Sequence, residues 1–208
     1  MTGIVSQNVA RSSGLIKAVS GGGAWTLIKT LTSDGSDDDL SFVDGADDVV
    51  LDSTYPIYRF SFINIHPETD DVFFTFNLSI DGGSNYNVTK TTTAFRAYHT
   101  EAGAAPTLEY YPQIDLEQST AFSKIVGELG NANDESVSGY LHLFDPSSTT
   151  FIKHFMTHAS QNTYHNLAMQ TLTAGYGNTT SAVDAVQFKF SADEIQGGKI
   201  KLYGLGDS

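Results

Sequence analysis

The sequence predicts an all-β protein: an antiparallel β-sandwich or jelly roll preceded by an extended N-terminal arm. From Trp25 onward, apolar and polar residues alternate at period two in segment after segment. Turn residues separate these segments at spacings of roughly 8–15 residues, and no long helical repeat intervenes. Composition agrees, because 13 Phe, 10 Tyr and 19 Gly stand beside only 17% charged residues in 208. Such a mix suits strands and turns and makes poor surface helices. Hydrophobic residues are 40% of the chain, enough to bury a core, so wholesale disorder is excluded.

The elements follow in order. Trp25–Leu31 reads as a first strand, and Leu40–Asp44 and Val49–Asp52 as short ones. Tyr58, Phe60 and Phe62 alternate with Arg59 and Ser61, as in a strand with one buried face. Phe74, Phe76, Leu78 and Ile80 alternate with Thr75, Asn77 and Ser79, and Asp81-Gly82-Gly83-Ser84 then supplies tight-turn chemistry. Tyr86–His99, rich in Thr and aromatics, reads as the return strand. Phe122–Leu129, Val137–Phe144 and Phe151–His158 are three further strands, the last two joined by a turn at Asp145-Pro146. Asn162–Thr173 fits a strand or a short helix equally well. Val186, Phe188 and Phe190 share a face, and Gly197-Gly198 turns into a last strand over Lys199–Gly204. Its short tail places that strand inside a sheet, near the first strands of the body. No internal repeat suggests a propeller or solenoid.

Charge is unevenly spread. With Asp+Glu 24 against Lys+Arg 11, the net charge is -13, which disfavours binding to a phosphate backbone. Residues 1–33 carry Arg11, Lys17 and Lys29 and no acid, whereas residues 34–52 carry eight Asp and no base. Ser20-Gly21-Gly22-Gly23 is a natural joint. Residues 1–23 therefore read as an anchoring arm, with Ile4, Val5, Leu15, Ile16 and Val19 seeking burial beside Arg11 and Lys17, and residues 24–208 as the sandwich. A frayed terminus is the plainer alternative. No segment has the pattern of a membrane span or signal peptide. The absence of Cys excludes disulfides and thiolate chemistry.

Few residues carry a chemical signal. His154 and His158 lie four apart on a strand, about 13 Å along the chain, too far for one zinc. His142, His154 and His165 either converge across strands or are ordinary sheet histidines, and no zinc site is expected. Asp34, Asp37 and Asp39 are weak calcium candidates that lack the EF-hand order, and a solvated acidic loop is the favoured reading of them. No hydrolase elbow, zincin or Walker motif occurs, so neither an enzyme nor a cofactor is expected. Glu101, Glu109, Asp115 and Glu117 near Tyr110 and Tyr111 are the one combination of acids and aromatics that a glycosidase would need. The pairs Tyr98-His99, Tyr110-Tyr111 and Tyr164-His165 would present aromatic faces to a sugar from loops, or pack at strand edges.

Three stretches resemble a class of tailed-phage virion proteins, especially from marine and freshwater phages. They are the leader Gly3–Lys17, the segment Tyr58–Asp70 with the Leu78–Tyr86 hairpin, and the ending Ala185–Ser191 with Gly198–Leu205. The resemblance implies a jelly-roll structural protein on the tail or head surface of a particle, with no enzymatic activity. It implies other virion proteins as partners, a homo-oligomer (a trimer by likeness to the family) and assembly in the host cytoplasm. Two roles fit. One is a tail fibre, spike or baseplate subunit held by its arm and touching a host surface glycan; the other is a capsid decoration protein. A free carbohydrate-binding module is the competing class. Neither nucleic-acid binding nor membrane insertion is expected.

Overall fold

The structure, a computed structural model, describes residues 24–104 and 106–206. The arm expected over residues 1–23, with Ile4, Val5, Arg11, Leu15, Ile16, Lys17 and Val19, lies outside the described residues.

Two antiparallel sheets pack as a sandwich. Their strands are β1 (Trp25–Thr32), β2 (Leu40–Val43), β3 (Ile57–Pro67), β4 (Val72–Ser79), β5 (Lys90–Thr100), β6 (Thr107–Tyr110), β7 (Ser123–Leu129), β8 (Val137–Phe144), β9 (Lys153–Asn162), β10 (Leu167–Gly177), β11 (Ala185–Phe190) and β12 (Ile195–Leu205), with one 3-10 turn over Pro112–Ile114. The larger sheet has eight strands in the order β1-β12-β3-β8-β9-β10-β5-β6, and the smaller has four in the order β2-β11-β4-β7.

The alternating aromatics fill the space between the sheets. Phe188 of β11 is the hub, with ring centroids 5.2 Å from Phe60, 5.3 Å from Phe62, 6.0 Å from Phe74 and 6.3 Å from both Phe42 and Phe76. All six rings are fully or almost fully buried. Mutual edge-on and tilted contacts add to the stabilisation from their buried area. Beyond β8 the interior becomes polar: Lys90, Thr92, Lys153, Thr157, Gln161, Thr171 and Thr173 are all buried. A small second core of Ala94, Tyr111 and Ile114, with Phe73, closes that side.

Three local features depart from the sequence expectation, and one open choice is resolved. Val49–Asp52 is not a strand: Asp47 and Asp48 adopt positive φ, the Val49 amide donates to Ala46 O at 2.9 Å, and Val49 and Leu51 fill the core from a loop. The return strand starts at Lys90 and not at Tyr86, because Asn77 Nδ2 reaches across to Tyr86 O at 2.6 Å and to Thr120 O at 3.0 Å. Gly197-Gly198 is an irregularity within β12. Gly198 has φ 105, and a Cβ there would press on the Asn64–Ile65 backbone, so glycine is needed. Residues 167–177 form a strand paired on both sides, by β9 and β5. The last strand does lie inside its sheet, between β1 and β3.

Candidate functional site

The register of the larger sheet sets out its outward face residue by residue. One row crosses Leu27, Tyr203, Arg59, His142, Met156 and Ala174. The next crosses Lys201, Ser61, Tyr140, His158, Leu172 and Phe95, and ends on Tyr110 of β6. Neither row holds an Asp or Glu, although the chain has 24 of them. The face is also apolar: Met156 is 52% exposed, Phe95 47% and Leu108 73%. Chains of this charge usually coat exposed sheets with carboxylates for solubility, so this acid-free aromatic face is the candidate site of the fold.

Within that face an aromatic ladder climbs the β1 side. The Trp25 and His142 rings stack at 5.5 Å, Tyr140 lies 4.7 Å from His142, and His158 lies 5.7 Å from Tyr140. The Arg59 guanidinium carbon sits 4.3 Å from the Tyr140 ring centre and 5.8 Å from that of Trp25. Burial, and then the Arg59 charge, hold His142 below the usual imidazole range. Arg59 Nε and His142 Nε2 are both buried without a hydrogen-bond partner. A groove of about 280 Å³ opens between Trp25, Arg59, Ser61 and Tyr203.

The other described arginine is fully occupied. Arg96 pairs with Glu109 at 2.9 Å and Glu128 at 2.7 Å, and its guanidinium lies 4.1 Å from the Tyr111 ring centre. Three of the four acids near Tyr110 and Tyr111 are engaged: Glu109 is held by Arg96, Asp115 accepts a hydrogen bond from the Tyr110 hydroxyl, and Glu101 accepts from Asn162 at 3.2 Å.

The three aromatic pairs do not form one loop platform. His99 points outward on β5, while Tyr98 takes the opposite face under Arg96, 4.9 Å from its guanidinium. Tyr110 points outward, but Tyr111 is 1% exposed and donates its hydroxyl proton to Glu128 at 3.2 Å. Tyr111 is therefore a core residue, corrected from a ligand-binding candidate, and burial pushes its phenol pKa up. Tyr164 and His165 do pair, 3.7 Å apart, on the β9–β10 loop beside a polar depression that includes Asp71, Lys124 and Glu128.

The acidic loop satisfies itself. Asp34 accepts the Ser36 amide at 3.0 Å and hydroxyl at 2.7 Å, Asp37 accepts the Asp34 amide at 2.9 Å, and Asp39 accepts the Ser41 hydroxyl at 2.7 Å. The Ser36 bonds hold the Asp34 carboxyl below its usual range. Among the described residues, no group of three His or carboxylate side chains is placed to hold a metal. His154 and His158 face outward toward different neighbours, Tyr176 and Tyr140.

The ladder was the feature that sequence reasoning missed. Its signal lay in Val137–Phe144, where Tyr140, His142 and Phe144 alternate with Leu141 and Leu143, leaving neither parity charged. No protein-family model matches the chain, and no curated protein matches it significantly. Among the described residues, no helix is long and apolar enough to cross a membrane.

Proposed function

We propose that this chain is a non-enzymatic structural subunit of a tailed-phage virion, built on a jelly roll and making contact through the outer face of its larger sheet. The acid-free aromatic face on a chain of net charge -13 carries the proposal, since such a face suits recognition better than bare solvent. The strand order supports the jelly-roll part. If β5-β6 and β9-β10 are treated as insertions, the remaining orders are β1-β12-β3-β8 and β2-β11-β4-β7. Successive strands then alternate between sheets except at the β4–β7 step, as two nested Greek keys require. Engagement of Glu109, Glu128 and Asp115 by Arg96 and Tyr110 favours a structural over a catalytic role.

In this proposal residues 1–23 anchor a homo-oligomer, taken as a trimer, to other virion proteins, and the body meets a host surface glycan at the tail. Capsid decoration is the alternative location. A free carbohydrate-binding module is favoured only by the groove at Trp25, Arg59 and Tyr203. Immunogold electron microscopy of the purified particle, with antibody to this chain, tests the assignment. Gold at the tail tip is expected. Gold over the head moves the chain to decoration, and an unlabelled particle refutes the virion role.

A further inference from the structure

Among the described residues, Arg59 is a permanent cation with no ion-pair partner, and only Arg96 makes ion pairs. The Nε of Arg59 is buried without a hydrogen-bond partner. In a chain with 24 acids, leaving a guanidinium without a carboxylate is unusual, because buried or half-buried charges are ordinarily paired. What holds Arg59 is the pair of ring faces of Tyr140 and Trp25, which fixes the plane of the guanidinium and removes much of its freedom. A second cation stands nearby, since Lys201 pairs with Ser61, the next outward position of β3, while Tyr203 pairs with Arg59. Between them lies the groove lined by Trp25, Arg59, Ser61 and Tyr203. It offers aromatic surface, a serine hydroxyl and an immobilised cation, with no acid in either adjoining row.

We propose that this groove is a binding site for an acidic saccharide, a sugar ring carrying a carboxylate. The sugar's apolar face stacks on Trp25 or Tyr203, as aromatic side chains favour. Its carboxylate pairs with the accessible nitrogens of Arg59, whose planar fork matches a carboxylate better than a point cation does. Lys201 adds attraction without fixing geometry. The inference names the ligand class for the host-contact surface proposed above and rests on that proposal for the source of the sugar; the chemistry of the groove stands without it.

Trp25 is the only tryptophan of the chain, so its fluorescence reports this groove and nothing else. The experiment titrates the full-length protein with trigalacturonate, with neutral galactotriose and with a short poly-glutamate peptide, at low and at 0.5 M salt. The expected result is saturable quenching or a spectral shift with trigalacturonate that weakens at least tenfold in high salt. The neutral sugar should bind at least tenfold more weakly, and Arg59→Gln should lose the response while keeping a native circular dichroism spectrum. If Arg59→Gln fails to fold, Lys201→Gln serves instead and should weaken binding two- to fivefold. Equal binding of the neutral sugar, no fluorescence response, or a response to poly-glutamate alone each overturns the inference. A protein without acidic-sugar binding that still labels the tail tip would refute this site and leave the virion assignment standing.

Discussion

Lys90 gives the most direct test of how this interior is built. Its side chain has no exposed surface, and desolvation pulls its pKa from 10.5 down to about 7. Below about pH 7 the lysine is protonated in both the folded and the unfolded chain, so it adds no pH dependence. Between about pH 7 and 10.5 the unfolded chain holds a proton that the folded chain has released. Stability therefore rises with pH across that window and levels off above it. At roughly 1.36 kcal/mol per pH unit, the full interval amounts to about 5 kcal/mol. Two acceptors act against this: Lys90 Nζ donates to Asn77 Oδ1 and, at 2.7 Å, to Val88 O. Bonds of that kind favour the ammonium, so a rise of about 2–4 kcal/mol is expected. The assay is urea unfolding of wild type and Lys90→Met at pH 6.5, 8 and 9.5. Groups common to both proteins cancel, including Lys153, which burial also lowers. The stability difference should move in favour of wild type as pH rises. Parallel curves would refute the reasoning and mean that Asn77 and Val88 keep the ammonium charged throughout.

Two further outcomes follow from packing and charge. Phe188→Ala empties the hub of the aromatic core and should cost about 3–5 kcal/mol, read as a drop in urea midpoint at unchanged slope. Arg96→Gln strands Glu109 and Glu128, of which Glu128 is the more enclosed, with 18% of its side chain exposed against 41%. Partial exposure reduces the loss to about 2 kcal/mol, less than a fully buried pair would show. Adding Glu128→Gln should recover part of it.

Period-two alternation was enough to find the sandwich, because each of Tyr58–Phe62, Phe74–Leu78 and Val186–Phe190 buries one parity against the other sheet. The strand at 167–177 was ambiguous because its inward side is Met169, Thr171 and Thr173, a face that no apolar repeat marks. Short β6 escaped for the opposite reason: Leu108 and Tyr110 are exposed, so their pattern carries no burial signal. The aromatic pairs were misleading as neighbours in sequence, since adjacent strand residues face opposite ways. Tyr110 reached solvent and Tyr111 the small core. The ladder of Trp25, Arg59, Tyr140 and His142 is assembled from three strands distant in sequence, and its parts meet only through register.

The central positions of β11 and β12 also set a timetable for synthesis. β11 lies between β2 and β4, and β12 between β1 and β3, while among the described residues β1 and β2 have no other strand partner. Trp25 must wait for Leu205, and Leu40 for Phe188. A nascent chain paused before Ala185 therefore holds β1 and β2 as unpaired edges and leaves the Phe188 cavity unfilled. Pairings this distant in sequence make folding slow, and open edges in the interval invite association with other chains. Both sheets of this body are consequently completed only once β11 and β12 are available, and its yield depends on how the incomplete chain is kept from its neighbours until those two strands emerge.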